Sequence, residues 1–319
     1  MKVCYLIQTH KNLQQVYRLT QTIRRSSPYS QIIISHDSKH CNVDSTSLKS
    51  LSGVEVLQAQ GGRGNFSIVQ GYLDAVAWLL RQNIEFDWLI NLTGQDYPTQ
   101  PLLQIESSLA ESNYDGFIEH FKVFNKQSHW SVKEGYTRYL YRYQKLASEL
   151  PEWQKKLLNP LKLVNYIQPF FRVNFSYGMR IGVKTLAPFN ENFICYGGSF
   201  FCILSKKCVQ YLYNFSKSRP DVVDYYKGVT QSDESFIQTV LVNSQLFNLS
   251  NDCKRYFNFS GTRNGHPRIL TIHDYPSLMP NNIHFARKFD IDQDSKILDA
   301  LDARIFNSSQ PESLETNLF

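Results

Sequence analysis

The stretch Asp87-Trp88-Leu89-Ile90-Asn91-Leu92-Thr93-Gly94-Gln95-Asp96-Tyr97-Pro98 reads as a buried strand running straight into a turn. Residues 87–92 are a short, nearly continuous apolar run closed by turn formers, the pattern of a strand covered on both faces. Working outward, residues 3–7 form another apolar strand, residues 31–35 a β-branched one leading into His36-Asp37, and residues 54–57 a further one. Between them Leu13, Val16, Leu19 and Ile23 recur at helical spacing over 12–25, with Pro28 beyond, and Ile68, Tyr72, Ala75, Trp78 and Leu79 do the same over 67–81. This alternation predicts an α/β fold, a Rossmann-like, mostly parallel sheet with helices on both faces. Ligands of such sheets bind past the carboxyl ends of the strands. His10, Asp37, the loop Gly61-Gly62-Arg63-Gly64-Asn65 and Asp96 all follow expected strand ends.

Beyond residue 120 the pattern loosens. Residues 120–190 are rich in Tyr, Lys and Arg, with helical pieces near 136–149 and 153–158. Order returns at 193–204, a strand-like run holding Gly197-Gly198-Ser199, followed by a helix over 206–215. Ser232-Asp233-Glu234-Ser235 opens a helix over 235–243, residues 254–259 form a strand, and a last helix starts at about Ser295. No linker is long or polar enough to divide the chain. The expectation is one domain over 1–301, made of a first half (1–119), a basic aromatic insertion (120–190) and a second half (191–301), with a tail at 302–319.

Composition excludes several classes. Of 319 residues, 42% are hydrophobic and 19% charged, enough for a large core and too little charge for a disordered chain. No apolar run approaches the roughly 18–20 residues of a membrane span, and residues 1–8 read as a strand rather than a signal peptide. Six cysteines, at 4, 41, 195, 202, 208 and 253, include no CxxC pair, so they read as reduced thiols of a cytoplasmic protein. His266 and His273 lack zinc-ligand spacing, and no nucleic-acid motif is present. The net charge of +6 is an average of unlike regions: residues 120–184 hold 12 of the Lys and Arg, three acids and 13 aromatics, and the remainder is net negative. That segment is expected either to touch an anionic membrane surface or an acidic or lipid-linked acceptor, or to pack as an irregular lid.

Certain residues carry candidate chemistry. Asp37 can accept hydrogen bonds from a ribose or uracil, or it is a turn aspartate. The glycine loop matches neither GxGxxG nor a P-loop, and reads as a plain loop or a weak phosphate contact. Asp233-Glu234 either caps the helix that follows or supplies a general base. Arg287 and Lys288 lie between Phe285 and Phe289, with Arg255 and Arg268 upstream. They form a solvated turn or stabilise charge on a leaving diphosphate. Asp290-Ile291-Asp292 and Asp292-Gln293-Asp294 are literal D-x-D pairs, yet they precede the last helix rather than follow the strand at 87–92, which is followed by the single acid Asp96. They read as acids approaching a helix, and the protein as metal-independent.

The block Trp88-Leu89-Ile90-Asn91-Leu92-Thr93-Gly94-Gln95-Asp96-Tyr97-Pro98 resembles the "W-hydrophobic-N-L-S/C-G-x-D-Y/F-P" block of the core-2/I-branching glycosyltransferase family, which includes β-1,6-N-acetylglucosaminyltransferases and peptide O-xylosyltransferases. Four further blocks fit in order: residues 3–10 with 32–37, residues 196–201, the Asp233-Glu234-Ser235-Phe236-Ile237 helix, and Phe285-Ala286-Arg287-Lys288-Phe289-Asp290. The resemblance implies a GT-A type fold, an inverting mechanism, a UDP-sugar donor carrying GlcNAc or xylose, and a glycan, lipid-linked or protein acceptor, with no cofactor or metal. It implies Glu234 as general base, Lys288, Arg287 and Arg255 on the diphosphate, Asp37 on the uridine with His10 nearby, and Asp96, Gly198, Ser199, Asp233 and Arg268 lining the substrate site. Phe66 stands where the family often has Trp. Animal members carry a membrane anchor and disulfides; here the expectation is a cytoplasmic, bacterial-type enzyme of surface-glycan synthesis, peripheral on the inner face of the membrane. The alternative is a catalytically inactive relative that binds UDP-sugar or glycan.

Overall fold

The computed structural model describes residues 1–39, 48, 50–62, 64–147, 151–175, 178–262 and 265–307. Arg63 of the glycine loop, Cys41 and the tail beyond 307 lie outside them. The chain divides into two compact units: Met1–Gln58 with Glu85–Asn113 and Cys253–Phe319, and Ala59–Ile84 with Tyr114–Asp252.

The first unit is built on strands β1 (Val3–Thr9), β2 (Gln31–Asp37), β3 (Val54–Ala59) and β4 (Trp88–Thr93), in the order β4-β1-β2-β3. β1 runs parallel to β2, Thr9 opposite His36, and parallel to β4, Gln8 opposite Thr93. In β1, β2 and β4 consecutive residues are buried rather than alternate ones: Tyr5, Leu6 and Ile7, Ile32, Ile33 and Ile34, Leu89 and Ile90. Burial without alternation means that both faces are covered, the α/β arrangement expected from the apolar runs. β3 is the less buried outer strand.

Helix Leu13–Ser26 joins β1 to β2; the Asn12 side chain caps it through Gln15 N at 3.3 Å, and Arg24 and Arg25 oppose its dipole in the last turn. A second small sheet places strand Asp96–Pro98 antiparallel to Phe285–Arg287, which in turn runs parallel to Arg255–Phe257. Helix Lys296–Asn307 is tied on by Asp302 Oδ1, which accepts from Tyr97 Oη at 2.8 Å and Thr22 Oγ1 at 3.0 Å.

The second unit centres on Gly116–Ile118, antiparallel to Cys202–Ser205 and parallel to Leu249–Ser250. Helices Ser67–Arg81, Lys206–Ser218, Pro220–Gly228 and Phe236–Ser244 belong to it. Phe66 packs edge-on against Phe236 at 5.2 Å between centroids. The expected helix near 136–149 is instead a helix Val132–Tyr139 followed by a strand Tyr141–Ala147, paired antiparallel with Met179–Lys184, which pairs with Phe171–Asn174. Tyr136, Tyr139 and Tyr143 recur at helical spacing while Tyr139, Tyr141 and Tyr143 alternate at strand spacing; pairing with a distant strand decides for β.

Candidate active site

The expected site residues fall into one constellation on each unit. On the first, the parallel register puts His10 just past the end of β1, Asp37 at the last position of β2, and the Thr93–Asp96 turn at the end of β4. Asp37 is 6% exposed and its Oδ1 accepts from Lys39 N at 3.2 Å, so it organises the turn as well as facing it. His10 is exposed. Asp96 is fully buried. Its Oδ2 accepts from Thr93 Oγ1 at 2.9 Å and from Thr93 N, and its Oδ1 lies 3.4 Å from Arg287 Nε. Burial works against the Arg287 charge and lowers its pKa, with Asp96 opposing that shift.

Two further residues hold this turn, and sequence reasoning missed the first. Gln15, fully buried, donates Nε2 to Gly94 O at 2.8 Å and to Phe289 O at 3.1 Å, and accepts Ile291 N at 2.8 Å. Gly94 is glycine because an added Cβ would lie 2.8 Å from Val16 Cγ2 and 2.9 Å from Thr9 Oγ1. Gly94 stands in the block quoted above, whereas nothing in the local pattern of Gln15 distinguishes it from an ordinary helix position.

The four cations converge by strand pairing, since Arg255 is opposite Phe285, and the backbones of Arg268 and Leu270 bond to Asn258 O and Lys288 O at 2.7 and 2.9 Å. Their side chains differ in what occupies them. Arg255 is 8% exposed, donates to Asn91 O and to Cys253 O (3.2 Å), and stacks over Phe285. Arg268 pairs with Asp274 through both terminal nitrogens, one at 2.9 Å. Arg287 pairs with Asp96. Lys288 is partly exposed.

On the second unit, Asp233 and Glu234 sit in a short 3-10 turn, Ser232–Glu234, ahead of helix Phe236–Ser244. Polar residues of the helix and its N-cap sew it to the strand Tyr196–Gly197 and to Ser199 just after it. Ser235 Oγ donates to Tyr196 O at 2.6 Å, Thr239 Oγ1 accepts Tyr196 N at 3.0 Å, and Gln238 Nε2 donates to Ser199 O at 2.6 Å. Gly198 N donates to Glu234 O at 2.9 Å, and a Cβ on Gly198 would fall 1.9 Å from Glu119 O. Ser199 N donates to Glu119 Oε2 at 3.0 Å. The spacing of this motif therefore follows from packing one helix face on one strand.

The Glu234 carboxylate, 38% exposed, accepts from Arg138 Nη1 at 2.5 Å. Arg138 Nη2 reaches Glu134 Oε1, also at 2.5 Å, and its Cζ lies 4.2 Å above the Trp130 ring. Arg138 comes from the segment that sequence reasoning treated as an insertion. Burial raises the pKa of Glu234, and Arg138 opposes that shift; burial also raises Asp233, reinforced by the charge of Glu234. Among the described residues Asp233 Oδ1 accepts no hydrogen bond. The arrangement provides a carboxylate held by its backbone and by one cation, with a second carboxylate beside it that is disfavoured as an anion.

Comparison with known proteins places the chain. A model of the Core-2/I-Branching enzyme family matches residues 3–280, which covers both constellations except the cations at 287 and 288. Two Arabidopsis thaliana proteins are similar: beta-glucuronosyltransferase GlcAT14A, 26% identical across 76% of this chain and 47% of its own, and GlcAT14B, 25% identical across 75% and 48%. The chain thus spans about half the length of the curated relatives it matches. Among solved structures, galactosyltransferase LgtC in complex with donor and acceptor sugar analogs aligns over 98% of both chains at a TM-score of 0.37 and 9% identity. With the family model matched across most of its length, and with the expected α/β fold present, the chain belongs to the Core-2/I-branching enzyme family.

Proposed function

We propose that the protein is an inverting glycosyltransferase that moves a sugar from a UDP-sugar to a hydroxyl of a glycan, lipid-linked or protein acceptor. The observation that carries this reading is the partly exposed Glu234 carboxylate, fixed by Gly198 at its backbone and Arg138 at its side chain. Glu234 takes the proton of the acceptor hydroxyl as that oxygen attacks the anomeric carbon. The bond from that carbon to the UDP oxygen breaks on the opposite side, which inverts the centre. General-base assistance of this kind is worth roughly 10²–10⁴ in rate. Charge growing on the departing diphosphate is met by Lys288, with Arg287 and Arg255 setting the local positive field, so side-chain cations replace a metal. Asp37 and His10 take the uridine.

The names of the similar plant proteins add glucuronate to GlcNAc and xylose as candidate donor sugars. Transfer assays with UDP-GlcNAc, UDP-xylose and UDP-glucuronate, with and without EDTA, test the reading. Turnover of one donor, unchanged by EDTA and lost in Glu234→Gln with UDP affinity retained, is the expected result. Strict metal dependence overturns the diphosphate assignment, and turnover in Glu234→Gln overturns the base. UDP binding without turnover of any donor points to the inactive binding relative.

A further inference from the structure

Eleven of the eighteen large apolar side chains that are exposed among the described residues lie between positions 146 and 186, all in the second unit. This concentration has a structural origin. In the segment 159–171 the inward groups are polar. Asn165 donates Nδ2 to Val173 O at 2.9 Å and accepts Val173 N at Oδ1 at 2.8 Å. Gln168 Oε1 accepts Phe170 N at 2.6 Å and Phe171 N at 2.8 Å, while its Nε2 donates to Val164 O at 3.2 Å. The apolar groups point outward, with Tyr166 74%, Ile167 80% and Phe170 63% exposed.

Trp153, Leu157 and Leu161 follow one another at four-residue spacing and are also exposed, Trp153 by 65% and Leu157 by 72%. A segment with polar side chains bonded inside and aromatic and aliphatic ones outside inverts the polarity of a water-facing surface.

Charge indicates what covers it. Lys145, Lys156, Lys162 and Lys184 are exposed around these side chains, and Glu152 is the sole acid in 151–184. Lys133 Nζ stands 4.5 Å above the Tyr166 ring. Two copies of this surface would bring like charges together, which opposes self-association. An anionic bilayer answers both properties. Its headgroups take the lysines, and its acyl boundary takes the aromatic and aliphatic side chains. We propose that the 146–186 face is a peripheral membrane-binding surface, seating Trp153, Leu157, Ile167 and Phe170 in the interfacial layer of an anionic leaflet, with Lys156, Lys162 and Lys184 on its headgroups.

Co-sedimentation of the full chain with vesicles of phosphatidylcholine, alone or mixed with phosphatidylglycerol, tests this. The chain is expected to pellet with the mixed vesicles and stay in solution with the neutral ones. The Trp153→Ser/Ile167→Ser/Phe170→Ser variant is expected to lose binding while unfolding at the wild-type temperature, since the replaced side chains are exposed. Lys156→Glu/Lys162→Glu is expected to weaken binding by about tenfold or more. A second readout is independent of those variants: tryptophan emission of the wild type shifts to the blue on adding mixed vesicles, and Trp153→Tyr lacks the shift. No pelleting with mixed vesicles, or binding unchanged in both multiple variants, overturns the proposal. So does a wild-type dimer that the serine variant converts to monomer without any vesicle binding, which would assign the face to a second copy of the chain.

Discussion

Arg138 and Glu234, ninety-six positions apart, meet as an ion pair of 2.5 Å in which the arginine is also held by Glu134 and by the face of Trp130. One cation thus serves two carboxylates, and its share for Glu234 depends on both. Removing Arg138 removes the charge that favours ionised Glu234, so the acid limb of the kcat/KM profile moves to higher pH. For Arg138→Ala we expect that shift together with a fall in kcat of about tenfold or more. Arg138→Lys keeps the charge but not the fork, and is expected to recover the pH profile more than the rate. A rate loss with an unmoved acid limb would rule out the electrostatic role.

Glu134→Gln has the opposite sign. The Glu134 charge raises the pKa of Glu234, and Glu134 also competes for Arg138. Neutralising it is expected to move the acid limb to lower pH, measured in the same pH series. An upward movement would contradict the shared-cation reading.

Asp233 has a raised pKa from burial and from the neighbouring Glu234 charge. Its folded state therefore holds a proton more tightly than the unfolded chain. The stability it contributes is complete below the unfolded value of about 4 and is lost as pH rises through the folded value. Urea unfolding at a series of pH values should show wild-type stability declining over that window, and a flatter profile in Asp233→Asn. Equal slopes in the two proteins would refute the assignment.

Gly198→Ala places a Cβ 1.9 Å from Glu119 O, a backbone atom that cannot step aside alone. Either the Gly198 backbone or the Glu234 turn bonded to it must move. We expect a loss of about 1–3 kcal/mol, typical of overpacking, and a fall in activity beyond what the stability loss explains. Thermal unfolding and kcat on the same samples separate the two; wild-type values for both would show that the backbone relaxes freely.

Gln15→Leu removes the side-chain partner of Gly94 O and Ile291 N and leaves Phe289 O with only Gln95 Nε2, at 3.3 Å. At about 1–3 kcal/mol for a buried group left unsatisfied, a loss of at least 2 kcal/mol is expected, read as a lower urea midpoint. A change within error would mean that the amide is dispensable.

Much of the first unit could be read ahead of the structure, because β1, β2, β4 and the helix between 13 and 26 carry their period in a few consecutive residues. The turn at Thr93–Asp96 was legible as a strand-end turn for the same reason. Arg138 was not: its partner lies far along the chain, and its own neighbourhood, Tyr136-Thr137-Arg138-Tyr139, reads as surface helix. The Tyr141–Ala147 strand failed for a related cause, its exposed face being made of Arg142, Gln144 and Leu146 rather than a clean polar stripe. Residue type alone marked Arg255 and Arg268 as cations for a ligand, without revealing that backbone carbonyls and Asp274 already engage their guanidinium groups.

The order in which the two units can fold during synthesis follows from the way their segments alternate along the sequence. Strand Asp96–Pro98 pairs with Phe285–Arg287, and Tyr97 bonds to Asp302, so the first unit stays incomplete until almost the whole chain has emerged. The second unit, finished by Asp252, can fold before it. Nascent β1, β2 and β4 must then wait with apolar faces uncovered through some two hundred further residues, about ten to forty seconds at ordinary elongation rates. Synthesis speed and chaperone supply, rather than equilibrium stability, are therefore expected to limit its soluble yield.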